Sequence, residues 1–134
     1  MQLELTTKQF RRLLDLAYIG NWILNSARGE DRIQDFDKVE SLLFSQCADV
    51  GMAALAEVAD GEVIPSRALA EGGIHEAIMD YEDTVFFEIL AEELARRDML
   101  AEGGEIDSEE LGQRIGVYIA EFERNGTDNL SINL

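Results

Sequence analysis

Apolar residues recur at intervals of three and four along most of the chain, which is the spacing of one face of an α-helix. The segments with this spacing predict four main helices, near residues 7–27, 36–59, 74–100 and 108–124. Short connections separate the first two and the last two segments, which favours antiparallel neighbours. The pattern therefore predicts an all-α fold, a compact bundle of four main helices in a single domain over residues 1–134.

The ends of the chain follow a different pattern, because polar and apolar residues alternate there as they do along a β-strand. Residues 1–5 read MQLEL, and residues 129–134 read NLSINL. An isolated two-stranded ribbon is marginal unless it packs on other elements. The fold prediction therefore includes a minor two-stranded β element from the termini only as an addition to the bundle.

Local signals mark several helix starts. Thr6 is followed three residues later by Gln9, which is the spacing of a capping box, and Asp107 stands in the same relation to Glu110. The only proline, Pro65, lies in a connection, and we expect one helical turn directly after it. These signals set the predicted starts of the first and last helices.

Asn21 interrupts an apolar row of the first predicted helix. A buried amide costs free energy unless its hydrogen bonds are satisfied. Asn21 is therefore expected either to fix the register between helices or to line a small pocket with Tyr18 and Trp22. Gly20, beside it in mid-helix, predicts a close helix crossing, since glycine is otherwise unfavourable there.

The predicted helix at 74–100 is apolar on two sides. One row contains Tyr81, Val85 and Ile89, and a second row contains Phe86 and Leu90. A helix that is apolar on two sides packs on two sides. We therefore expect this helix in the middle of the fold.

The charge balance limits the classes of partner. Twenty-eight acidic residues against eleven basic ones give a formal net charge of −17. This balance argues against direct nucleic-acid binding, which depends on clusters of Lys and Arg, and against anionic membrane surfaces. It is compatible with a basic protein partner, with cation binding, or with imitation of a nucleic-acid backbone.

The single cysteine, Cys47, excludes an internal disulfide and favours a reducing, cytoplasmic location. It lies within an apolar stripe, so we expect a core thiol and not a nucleophile. No run of roughly 18 apolar residues predicts a membrane span, and no signal peptide is visible.

No catalytic constellation is apparent, so the preferred interpretation is a protein–protein interaction or regulatory module and not an enzyme. Such a module binds a protein partner or associates with itself, for example as a homodimer, and it needs no cofactor. Exposed aromatic side chains anchor interfaces, and rows of small residues permit close approach of another helix. The candidate interface or pocket residues are Tyr18, Asn21, Trp22, Phe44, Gly112 and Gly116.

Two alternatives stay open. The first is an all-α hydrolase of phosphorylated small molecules, in which helix carboxylates hold Mg²⁺ or Ca²⁺. The second is an acidic mimic that occupies a nucleic-acid-binding protein. The candidate metal ligands of the first alternative are His75, Glu76, Asp80, Glu88 and Glu92.

Overall fold

The computed structural model describes residues 1–134. It contains four α-helices of eleven residues or more, one short helical turn and one β-hairpin. The predicted mostly helical fold with a minor β element is confirmed. The α-helices are α1 (Thr7–Asn25), α2 (Gln34–Phe44), α3 (Arg67–Leu69), α4 (His75–Glu102) and α5 (Ser108–Asn125), and the strands are β1 (Ala56–Ala59) and β2 (Glu62–Pro65).

The predicted second helix ends much earlier than its apolar spacing indicated. α2 stops at Phe44, and two 3₁₀ turns, Cys47–Val50 and Ala53–Leu55, follow it. Gly51 lies between the two turns with φ of 75°, a left-handed conformation that a right-handed helix cannot contain. The prediction of a helix over 36–59 is therefore wrong beyond residue 44.

The β element lies inside the chain and not at its termini, so the predicted pairing of the termini is wrong. β1 and β2 are antiparallel, with Ala56 opposite Pro65. Asp60 and Gly61 connect them, both with positive φ, which is the backbone of the two-residue turn that suits a twisted hairpin. The tail is held differently, because Asn129 donates a hydrogen bond to Glu121 of α5 at 2.6 Å.

The predicted helix starts agree with the structure. Thr6 Oγ1 accepts the backbone N–H of Gln9 at 3.1 Å, and the Gln9 side chain accepts the N–H of Thr6 at 3.0 Å, which completes a capping box. Asp107 accepts the N–H of Glu110 at 2.9 Å, but the Glu110 side chain pairs with Arg114 instead of returning to the cap. The helical turn α3 follows Pro65 as expected.

Contacts within the chain define two units, Met1–Ile78 and Met79–Leu134. The core of the first unit is a cluster of fully buried side chains, Leu14, Phe44, Cys47 and Leu69. This placement confirms Cys47 as a core thiol, and burial raises its pKa. It also corrects one interface candidate, since Phe44 has no exposed surface with which to anchor a partner.

Three glycines that predicted close approaches have open surroundings. A Cβ atom built on Gly20, Gly112 or Gly116 would meet nothing within 4 Å. The predicted close crossing at Gly20 is therefore wrong, and neither Gly112 nor Gly116 packs closely on another element of the chain. A small residue permits a close approach but does not require one.

The apolar side chains of α4 are also less buried than its two apolar rows predicted. Tyr81, Phe86 and Ile89 expose 60%, 53% and 56% of their surface. The expectation that both sides of this helix pack inside the chain is therefore wrong. No helix of the chain has the length and apolar content needed to cross a bilayer.

Candidate functional site

The first candidate site is a cleft of about 560 Å³ within the unit Met1–Ile78. α1 contributes one wall, the start of α2 the second, and β2 with the start of α3 the third. The cleft brings together the three residues of α1 that the sequence grouped as a possible pocket. The polar and aromatic side chains that determine its chemistry are Tyr18, Asn21, Trp22, Arg32, Asp37 and Glu40.

A buried amide fixes the loop between α1 and α2 at the edge of this cleft. Asn25 is 1% exposed. Its Oδ1 accepts the N–H of Ile33 at 2.8 Å, and its Nδ2 donates to the carbonyl of Ile33 at 3.0 Å. α2 has no side-chain cap at its first turn. The two hydrogen bonds from Asn25 to the backbone of Ile33 therefore position the residue that directly precedes the helix.

Asn21 continues the same network into the cleft. Its Oδ1 accepts a hydrogen bond from Asn25 Nδ2 at 2.6 Å, and its Nδ2 donates to Asp37 at 3.0 Å. Arg32 donates to both oxygens of Asp37, at 2.6 and 2.7 Å. The Arg32 guanidinium holds the pKa of Asp37 below its usual value. Asn21 thus joins α1 to α2 through its hydrogen bond to Asp37, while its bond to Asn25 lies within α1.

Tyr18 and Trp22 meet a residue from the far end of the unit. The hydroxyl of Tyr18 lies 2.6 Å from Nε2 of His75. The ring of Trp22 contacts His75 edge to face, with centroids 5.5 Å apart. Burial, followed by the charge of Glu40, raises the pKa of Tyr18. His75 is therefore a structural partner of two aromatic residues of α1.

Two carboxylates that line the cleft lack an ion pair, namely Glu57, which is exposed, and Glu40. Glu40 is half-buried and forms no salt bridge, whereas Asp37 is matched by Arg32. Burial raises the pKa of Glu40, and the charge of Asp37 adds to this effect. The cleft thus combines a fully bonded polar network with one carboxyl group that retains its proton to higher pH than usual.

The second candidate site is a groove of about 700 Å³ between α4 and α5, within the unit Met79–Leu134. Its walls are apolar: Phe87 comes from α4, and Ile115, Ile119 and Phe122 come from α5. The ring centroids of Phe87 and Phe122 lie 5.4 Å apart. Concave sites with mostly apolar walls and a few polar groups are typical ligand or peptide sites.

Carboxylates alone provide the charges around this groove. Asp83, Glu88 and Glu92 of α4 and Glu123 of α5 line it, and no lysine or arginine does. Glu92 is paired with Arg96 at 2.7 Å, whereas the other three carboxylates form no salt bridge. The groove therefore presents an apolar floor with a negative rim on which three of the four carboxylates have no ion pair.

The predicted metal ligands do not form a metal site. No group of three or more His, Cys, Asp or Glu side chains has an arrangement that could hold a metal ion. Glu88 and Glu92 border the groove of α4 and α5, Glu76 and Asp80 are exposed on α4, and His75 is bonded to Tyr18. The hydrolase alternative therefore lacks the ligand set on which it depends.

The interface candidates have separate positions. Tyr18, Asn21 and Trp22 share the first cleft, whereas Gly112 and Gly116 are exposed on α5. In the sequence, the groove-lining residues of α5 contribute only to the apolar spacing that predicts a helix near 108–124. These residues are identified as a site by the partly open apolar floor of the groove and by its acidic rim. Both features arise only when α4 and α5 pack side by side.

Comparisons of this chain with protein-family models, with curated proteins and with solved structures gave no match.

Proposed function

We propose that this protein is a non-enzymatic interaction module that binds a basic, amphipathic helix of a protein partner in the groove between α4 and α5. The observation that supports this proposal is the apolar floor formed by Phe87, Ile115, Ile119 and Phe122, with carboxylates as the only charged groups around it. An amphipathic helix docks in such a groove through apolar residues at helical spacing. Lysine or arginine residues on its flanks then meet the carboxylates of the rim.

Charge supports the same partner chemistry. The formal net charge of −17 attracts a basic segment over long range and disfavours an acidic one. At the groove, the carboxylates of Asp83, Glu88 and Glu123 have no cation within the chain, so a partner can neutralise them without breaking an existing pair. Direct binding to nucleic acid or to an anionic membrane is opposed by the same charge.

The proposed location is the cytoplasm. The chain has one cysteine, Cys47, which is fully buried and has no disulfide partner. Disulfides are rare in reducing compartments. A protein that acts through a groove of unmodified side chains needs neither a metal nor a cofactor.

The proposal is tested by calorimetric titration with a synthetic helical peptide that carries leucines on one face and lysines on its flanks. A peptide with glutamates in place of the lysines is the first control. Wild-type protein is expected to bind the lysine peptide and not the glutamate peptide. If neither peptide binds, or both bind equally, the proposal is wrong.

Two matched variants locate the binding site. Ile119→Asp adds a charge to the groove floor, and Val117→Asp adds the same charge at a position of α5 that is 71% exposed and outside the groove. Only Ile119→Asp is expected to weaken binding, by about tenfold or more, equivalent to roughly 1.4 kcal/mol. Equal effects of both variants would contradict the assignment. Circular dichroism of both variants checks the fold.

Two double variants that change only surface charge keep the test valid if Ile119→Asp unfolds the protein. Glu88→Gln with Glu123→Gln removes two rim charges that have no intrachain ion pair. Glu82→Gln with Glu105→Gln removes the same charge from exposed positions outside the groove. The first pair should weaken peptide binding more than the second, and the difference should shrink in high salt.

A further inference from the structure

We infer that the occupant of the groove between α4 and α5 is the basic N-terminal surface of a second copy of this chain. This inference rests on the proposed function and identifies the partner. The surface, here called the N-terminal patch, forms a shallow cavity of about 360 Å³ before and along the first turns of α1. Its apolar residues are Leu3, Leu5, Leu13 and Leu16, and its charged residues are Lys8 and Arg12.

The patch has the features that the groove requires in a ligand. Leu3 and Leu16 expose 73% and 67% of their surface, so apolar side chains are available for the groove floor. Lys8 and Arg12 are the only charged residues that line it. The patch is therefore apolar with a basic border, whereas the groove is apolar with an acidic border.

The basic character of the patch stands out from the rest of the chain. Lys8, Arg11 and Arg12 are three of the eleven basic residues, and they lie within five positions. Asp15 pairs with both arginines, at 2.5 and 3.1 Å, whereas Lys8 forms no salt bridge. With Glu4, which lies between Leu3 and Leu5, the five charged side chains of this segment sum to +1. An acidic surface of a second copy would meet local repulsion at the groove, and this patch would not, whereas the net charge of −17 on each copy opposes association over long range.

Each copy carries both surfaces, so the patch of one copy can occupy the groove of another. Reciprocal exchange closes a dimer with twofold symmetry. In such a dimer, each groove holds the patch of the other copy, and no third component is needed.

The test uses charge reversal and the mass of the full chain by analytical ultracentrifugation. Variant A carries Glu88→Lys and Glu123→Lys in the groove, and variant B carries Lys8→Glu and Arg12→Glu in the patch. In each variant alone, groove and patch have the same charge, so both are expected to be monomers at concentrations at which wild type is a dimer. Mixed together, A and B restore opposite charges in both interfaces, and we expect a heterodimer.

The matched control is Glu82→Lys with Glu105→Lys, which makes the same charge change as variant A at exposed positions outside the groove. This control should remain a dimer. The inference is overturned if wild type is a monomer at all concentrations, if the control dissociates like variant A, or if the mixture of A and B stays monomeric.

The failure of this inference is distinguishable from the failure of the proposed function. A monomeric wild type that binds the lysine peptide through Ile119 has a groove for a foreign basic helix, and only the second copy is ruled out. A dimeric wild type whose mass does not respond to variants A and B associates through another surface. A monomeric wild type that binds no basic peptide overturns both proposals.

Discussion

The hydroxyl of Tyr18 and Nε2 of His75 lie 2.6 Å apart, although fifty-seven positions separate the two residues in sequence. Trp22, one helical turn after Tyr18, contacts the same imidazole ring. The start of α4 is thereby joined to the middle of α1 by one hydrogen bond and two aromatic contacts. These contacts make His75 part of the framework of the first cleft.

Replacement of Tyr18 by Phe is expected to lower the free energy of unfolding by about 1 kcal/mol, because a partly buried hydrogen bond is lost while the ring remains. Chemical denaturation measures this change. Tyr81→Phe is the matched control, since Tyr81 is 60% exposed and its hydroxyl bonds to no other residue. An equal loss in both variants would show that the hydroxyl of Tyr18 has no special role.

Replacement of Asn25 by Ala is expected to destabilise the first unit more strongly, by about 2 kcal/mol or more. The variant leaves the N–H and the carbonyl of Ile33 without their partner in a site from which water is largely excluded. Asn129→Ala removes an exposed amide bonded to Glu121 and is the matched control. A smaller loss at Asn25 than at Asn129 would contradict the role given to Asn25.

Replacement of Glu40 by Gln is expected to stabilise the protein at neutral pH. Burial raises the pKa of Glu40 in the folded state. A carboxyl group whose pKa is raised by folding adds to the free energy of unfolding. This contribution is complete at a pH below the pKa of the group in the unfolded chain, and it is lost as the pH rises through the pKa of the group in the folded protein. Glutamine does not ionise and keeps the neutral form at every pH.

The pH dependence of unfolding measures this effect. The difference in stability between Glu40→Gln and wild type should be positive at neutral pH and should decline as pH falls through the folded pKa of Glu40. Below the unfolded pKa both proteins carry a neutral side chain at this position, and the pH-dependent part of the difference should vanish. A difference that does not change with pH would refute the assigned environment of Glu40.

Local sequence signals predicted the helix starts but not the end of α2. The capping residues Thr6 and Asp107 act within three positions, so their partners are visible in sequence. The apolar spacing of the second segment continues past Phe44 although the helix ends there, and Gly51 lies beyond that end, between the two 3₁₀ turns. Asp60-Gly61 between Val58 and Val63 was the available hairpin signal, because this dipeptide favours the turn observed there.

The candidate sites were predictable only in part. The grouping of Tyr18, Asn21 and Trp22 follows from their positions on one helix, and the structure places all three in one cleft. The partner His75 could not be inferred, since nothing local links it to Tyr18. The groove required knowing that Phe87 and Phe122 face each other, a contact between two helices that no periodicity specifies.

The central claim is that the groove between α4 and α5 binds a basic helix, and chemical-shift mapping tests it most directly. Backbone amide signals of the isotope-labelled full chain are followed during titration with the lysine peptide. We predict shifts concentrated at residues 83–92 and 115–123, which contain the groove lining, with little change at Tyr18 and Asn25. Displacement of a second copy from the groove adds shifts in the N-terminal patch. Shifts spread evenly over the chain, confined to the first cleft, or absent at saturating peptide would contradict the claim.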